Sequence, residues 1–226
     1  MRNLFIAIEG GDGSGKGTQS TILRDYLKND LKQDVLKVSF PQYGKDSAYY
    51  AGRYLDGAYG SADEVPAELA SLAYAIDRYA AKDVIEKQLK KPGAVVIADR
   101  YVASNLAHQG TKFDNNADRH AYYDRMKKTE YEILGIPRPD INIVLIMPTD
   151  MAQANVDKKD ASARSYTEKK RDIHETDPRH LDKAKENYEE LCRLYPEEFI
   201  AINCTDTSGA MRTIDDIQQD IRTLIK

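Results

Sequence analysis

The sequence predicts an α/β protein built on a five-stranded parallel sheet, doubly wound, with helices on both faces. Three observations carry that reading. Short apolar runs at Leu4 to Glu9, Asp34 to Phe40, Ala94 to Asp99, Asn142 to Met147 and Phe199 to Asn203 have the length and composition of strands covered on both sides. The stretches between them are long enough to return as crossover helices. The first run opens directly into a glycine-rich loop and then a helical pattern, the order of a phosphate-binding turn.

The elements follow in order. After the first strand and its loop, a helix is expected from Lys16 to about Leu31. A long helix is expected from Pro66 to Leu89, with Pro66 at its first position and Leu69, Leu72, Ala73, Ile76 and Tyr79 forming one apolar stripe. The third strand closes on Asp99-Arg100-Tyr101. The segment Asp114 to Leu134 reads as a helix whose Tyr122, Tyr123, Met126 and Tyr131 serve either core packing or a subunit interface. Helices around Ala152 and Leu181 bracket Lys158 to Glu175, which is polar, basic at both ends and too poor in apolar residues for a core. It reads as a lid over the surface. Residues 1–226 together read as one domain, with the lid at about 158–175.

Composition bounds the function. The length suits one large α/β domain. With 33 Lys+Arg against 37 Asp+Glu, the net charge of −4 argues against wrapping a phosphate backbone, so nucleic acid is not an expected partner. Two cysteines, Cys192 and Cys204, cannot make a disulfide framework, which points to a reducing, cytoplasmic setting. No apolar run approaches the roughly 18 residues of a membrane helix, and the strand at Leu4 leaves no room for a removable leader.

The loop Gly10-Gly11-Asp12-Gly13-Ser14-Gly15-Lys16-Gly17-Thr18 fits G-x-x-x-x-G-K with the hydroxyl one place later than usual. Consecutive backbone N–H groups and a helix N-terminus surround a phosphate chain with donors and partial positive charge. Lys16 reaches β and γ oxygens in such a loop, and Thr18 offers a hydroxyl to Mg²⁺. The expected fold is thus that of a P-loop NTPase. No Asn-Lys-x-Asp occurs, which disfavours a GTPase switch and leaves a small-molecule kinase. Asp99 and Arg100, at the carboxyl edge of the third strand, are placed to hold Mg²⁺ and to clamp a phosphate.

At this point the chain resembles the thymidylate kinase family over most of its length. The motifs in register are Ile8-Glu9 with the P-loop, Phe40-Pro41 after the second strand, Tyr74-x-x-x-Arg78, Asp99-Arg100-Tyr101 with Ser104, and Asp172-x-x-Glu175. The resemblance implies ATP as donor, dTMP as acceptor, Mg²⁺ bound by Thr18, Asp99 and Glu175, and a homodimer. It implies that Asp12 binds the 3′-hydroxyl of the acceptor and that Arg100 holds its phosphate. By position, Phe40 and Pro41 bind dTMP, Tyr74 stacks on the base, Arg78 reads a base carbonyl, Ser104 and Asn105 meet the base edge, and His108 adjoins the deoxyribose.

Several positions depart from the family pattern. Gln42 and Tyr43 stand where relatives carry a phosphate-binding arginine, leaving Arg100 and Arg53 for that task. His108 replaces a tyrosine or phenylalanine, and Asn155-Val156 replaces a Lys-Arg pair that meets adenine. Gly13 stands where some members carry a basic catalytic residue, which resembles the subclass supplying it from the lid. Arg164 and Arg171 are then preferred over Lys169 and Lys170, because a planar fork matches phosphoryl oxygens. Alternatives are another nucleoside monophosphate kinase or a deoxynucleoside kinase, and, in a different class, a nucleotide-binding module without transfer activity.

Overall fold

A computed structural model of the protein describes residues 3–157 and 178–225. The strands are β1 (Leu4–Gly10), β2 (Val35–Ser39), β3 (Val95–Asp99), β4 (Ile141–Ile146) and β5 (Phe199–Asn203), within a residue or two of expectation. They form one parallel sheet in the order β2-β3-β1-β4-β5. The helices are α1 (Lys16–Asp25), α2 (Tyr49–Leu55), α3 (Ala67–Ala80), α4 (Lys82–Leu89), α5 (Val102–Gly110), α6 (Asn116–Lys128), α7 (Thr149–Asp157), α8 (Pro178–Leu194) and α9 (Ile214–Leu224). Wider, π-type turns continue α1 over Tyr26–Asp30 and α6 over Thr129–Ile133.

Alternation along each strand divides the core into two layers. Phe5 and Ala7 of β1, Val96 and Ala98 of β3, and Val144 and Ile146 of β4 point to one side, where Leu106, Tyr122, Tyr123, Met126 and Leu191 cover them. Ile6, Ile8, Val95, Ile97, Ile143 and Leu145 point to the other, against Leu23, Ile217 and Ile221 of α1 and α9. From β1 the chain crosses to the edge at β2, returns to β3 beside β1, and then passes to the other side of β1 at β4 and β5. That reversal opens a crevice at the carboxyl ends of β1 and β3, where ligands of such sheets bind. Register fixes what meets there: Ile8 pairs with Asp99, and the Arg100 N–H donates to the Ile8 carbonyl at 3.0 Å.

Two expectations are corrected. The single helix from Pro66 to Leu89 is two helices meeting at Ala81, and Pro66 caps the first rather than occupying its first turn. The turn at Ala81 redirects the chain so that Ile85 reaches the core beside the sheet. The stripe Leu69, Leu72, Ile76 and Tyr79 faces outward, Leu69 being 61% exposed. Periodicity reveals an apolar face but not the side it takes. Here the inward side is held by Ser71, which meets Tyr122 at 2.7 Å, by Asp77, and by Arg78. The tyrosine-bearing helix α6 resolves the other way, with Tyr122, Tyr123 and Met126 in the core.

Candidate active site

Asn155 and Cys204 hold the phosphate loop from outside. Asn155 on α7 donates to the Gly13 carbonyl at 3.0 Å, and the Cys204 thiol approaches the Ser14 carbonyl at 3.9 Å. Asn155, in the position compared above with an adenine contact, is thus turned toward the loop. Gly13 has φ +81, and a Cβ there would lie 2.0 Å from the Ala152 carbonyl oxygen of α7, so no side chain fits without moving that helix. Lys16 is buried and folds back to donate to the Gly11 carbonyl at 2.6 Å. Burial, reinforced by the Arg100 charge, lowers its pKa to about 8.

Beside the loop, Arg100 takes φ 66, a left-handed conformation that points its side chain back over β1. Its guanidinium donates to the Asp12 carboxylate, to the Gly10 carbonyl at 3.3 Å and to Ser104 Oγ at 3.2 Å. Burial works against charge on Asp12, yet the adjoining Arg100 and Lys16 cations hold its pKa well below the usual carboxylate range. Beneath this pair lies Glu9, fully buried. It accepts the Tyr101 backbone N–H at 2.7 Å and the Ser104 hydroxyl at 2.7 Å. Burial raises the Glu9 pKa against those bonds. The Ser104 proton is therefore committed to Glu9, so Ser104 serves the Arg100 turn as well as the cavity wall.

A cavity extends from this cluster. Asp12, Arg100, Ser104 and His108 line one end, and Phe40, Pro41, Tyr74, Arg78 and Asn105 continue the wall, with Tyr43, Leu55 and Gln109 joining them. The structure thus gathers Asp12, Phe40, Pro41, Tyr74, Arg78, Arg100, Ser104, Asn105 and His108 around one cavity. Arg53 is exposed on α2 and takes no part in this wall. Gln42 turns away to donate to Asp77 at 3.1 Å, tying the loop after β2 to α3.

Arg78 is 2% exposed and Glu130 fully buried, and the two form a bidentate pair at 2.5 and 2.6 Å. Burial opposes the Arg78 charge, but Glu130 raises its pKa above the ordinary value. Sequence reasoning missed Glu130. Its signal was present: Tyr122, Met126 and Glu130 recur every fourth residue, placing a carboxylate on the buried face of α6 and the turn that continues it.

For a divalent cation the donors present are hard oxygens. Thr18 is exposed in the first turn of α1, and Asp99 Oδ2 lies 3.3 Å from where a Cβ on Gly17 would sit. A hydroxyl and a carboxylate are donors of the kind that suit Mg²⁺. Arg164, Arg171 and Glu175 lie outside the described residues.

Known proteins resemble this chain in sequence and fold. The family model described as thymidylate kinase matches residues 8–214. A thymidylate kinase of Mycobacterium tuberculosis is 34% identical over 150 residues, 66% of this chain and 68% of that protein. A probable thymidylate kinase of Pyrococcus horikoshii is 28% identical across 100% of this chain and 97% of its own. Among solved structures, the thymidylate kinase of Candida albicans superposes with a TM-score of 0.72 at 21% identity, covering 99% of this chain and 91% of that one. With the family model spanning the phosphate loop, the Asp99-Arg100 edge and the cavity wall, the chain belongs to the thymidylate kinase family.

Proposed function

We propose that this protein transfers the γ-phosphoryl of ATP to the 5′-phosphate of dTMP, giving dTDP and ADP on the route to dTTP. The observation that carries the reading is the cavity joining Asp12 and Arg100, beside the phosphate loop, to Phe40, Tyr74, Arg78 and Asn105 at its far end. A cationic end suits a phosphate. Aromatic rings with a guanidinium and an amide suit a planar base carrying carbonyl oxygens.

In this reading an oxygen of the acceptor phosphate forms a bond to Pγ while the bond from Pγ to the β-bridging oxygen breaks, and ADP leaves with that electron pair. The acceptor phosphate is already a nucleophile, so the protein's work is positioning and charge stabilisation. The backbone N–H groups from Gly10 to Gly15 cradle the donor phosphates, Lys16 unfolds from Gly11 onto the β and γ oxygens, and Arg100 orients the acceptor phosphate while Asp12 steadies Arg100. Mg²⁺, held by Thr18, Asp99 and Glu175, would screen charge on the donor phosphates. Arg164 and Arg171 are assigned the remaining positive charge; the lack of space at Gly13 supports a source outside the loop.

A homodimer through α3 belongs to the same proposal. Leu69, Leu72 and Ile76 of α3, with Tyr50 and Tyr59, line an exposed apolar groove, and Tyr79 extends it. Such a continuous patch is larger than scattered surface apolar residues need, and a two-fold axis would bury it against its own copy. A single domain in the cytoplasm completes the reading, supported by two free cysteines. No helix among the described residues is long and apolar enough to cross a membrane.

The test is ADP formation from Mg²⁺-ATP with dTMP, dUMP, AMP, CMP, GMP and thymidine offered separately. dTMP is expected to be fastest. A faster AMP or CMP would move the protein to another monophosphate kinase activity, faster thymidine to a nucleoside kinase, and no ADP with any acceptor to a binding module.

A further inference from the structure

Glu130 joins two residues of the cavity wall without lining the cavity itself. One of its oxygens accepts from Arg78 Nη2 at 2.6 Å and from Asn105 Nδ2 at 3.0 Å, and the other accepts from Arg78 Nε at 2.5 Å. Arg78 Nη1 also reaches the Tyr101 carbonyl at 3.4 Å. A guanidinium carries five N–H groups, so these contacts leave some free to face the cavity.

The Asn105 amide has a forced orientation. Its nitrogen lies 3.0 Å from the Ser71 carbonyl and 3.0 Å from the Glu130 carboxylate. Both neighbours only accept hydrogen bonds, so the NH₂ must face them and the carbonyl oxygen is left for the cavity. The wall therefore offers a donor from Arg78 beside an acceptor from Asn105. That pattern complements a pyrimidine ring with a carbonyl next to a ring N–H. It mismatches one with an amino group next to an unprotonated ring nitrogen at both positions.

We propose that Glu130 is the positioning residue that sets pyrimidine selectivity, by fixing the donor face of Arg78 and the acceptor face of Asn105 together. This rests on the reading that a base occupies that end of the cavity. Glu130 is the buried residue of the wide turn Thr129–Ile133, and turns of this kind recur at functional positions. Glu130→Gln would set an NH₂ against Arg78 or Asn105, removing the reason for the Asn105 orientation. Glu130→Asp keeps the charge opposite Arg78 but withdraws it by one methylene, so that it can no longer satisfy both partners.

The experiment is calorimetric binding of dTMP, dCMP and N3-methyl-dTMP to wild-type, Glu130→Gln and Glu130→Asp proteins, with thermal melting of each. Wild type is expected to bind dTMP at least about 100-fold more tightly than either analogue, because each analogue leaves a buried polar group unpaired. Both variants are expected to narrow the dTMP/dCMP ratio about tenfold or more. A structural role alone would lower the melting temperature and leave the ratio unchanged, which would overturn the proposal. Should Glu130→Gln not fold, Glu130→Asp decides. Should neither fold, equal binding of dTMP and N3-methyl-dTMP by wild type would overturn it. Absence of dTMP binding to wild type would instead remove the acceptor reading, and this inference with it.

Discussion

Arg100 and Asp12 meet across the head of β1, one from the turn after β3 and the other from the phosphate loop, and their ion pair ties the two loops together. In the proposed reaction the pair lies beside both the donor and the acceptor phosphate. Arg100→Ala is expected to lower kcat with dTMP at least about 100-fold, the scale for losing a preorganised charge at the reacting group. Asp12→Asn keeps the shape but not the charge, so a raised acceptor KM with a smaller loss of kcat is expected. Steady-state kinetics separate the two, and wild-type turnover in Arg100→Ala would remove it from this role.

Lys16 gives a pH signature. Its pKa is lowered to about 8, so its charge is lost as pH rises through that value. The kcat/KM for ATP, which reports the free enzyme, is expected to fall about tenfold per pH unit above that point. Lys16→Ala is expected to lose most of kcat and to abolish that limb of the profile.

Gly13→Ala is expected to damage the loop through packing alone. The new methyl would meet the Ala152 carbonyl and force a strained backbone, at a cost of about 1–3 kcal/mol or more. A lower melting temperature together with weakened ATP binding is the expected result. Wild-type values for both would show that α7 yields freely.

His108 links acidity to stability. Burial, aided by the Arg100 charge, holds the imidazole well below its usual pKa, so the folded protein keeps it neutral. The unfolded chain takes up a proton below about pH 6.5, and folding is disfavoured progressively as pH falls below that value. The effect is absent above it, where both states are neutral. His108→Gln is expected to flatten the decline in urea midpoint between about pH 6.5 and 5.5. Parallel declines in the two proteins would assign the acid sensitivity elsewhere.

The α3 face predicts assembly. Ile76→Glu and Leu69→Glu each place a charge in the exposed groove, and both are expected to convert a dimer into monomers in light scattering while leaving helix content unchanged. A wild-type protein that is monomeric at all concentrations would end the proposal.

The strands and the phosphate loop were legible in the sequence because each depends on local pattern, whereas the acceptor-side residues were named only through the resemblance to a family. A buried parallel strand must be a short apolar run, and a backbone cradle for phosphate needs glycine at fixed intervals before a helix. Tyr74 and Arg78, one helical turn apart, share a helix face and line one cavity. The direction in which the stripe Leu69, Leu72, Ile76 and Tyr79 faces was not legible. An amphipathic pattern is symmetric between core and interface until another element claims one side.

Only the tertiary structure decided the partners. Arg78 is buried and paired because Glu130, fifty-two positions away, is brought against it where α6 and the turn that continues it pack on α3 and α5. Asn155 turned to Gly13, Ser104 committed to Glu9, and Asn105 oriented by Ser71 and Glu130 are likewise long-range pairings. The physical reason is common to all of them. Local sequence sets backbone conformation and which face is apolar, whereas a buried polar group takes whichever partner the packed layers bring within hydrogen-bond distance.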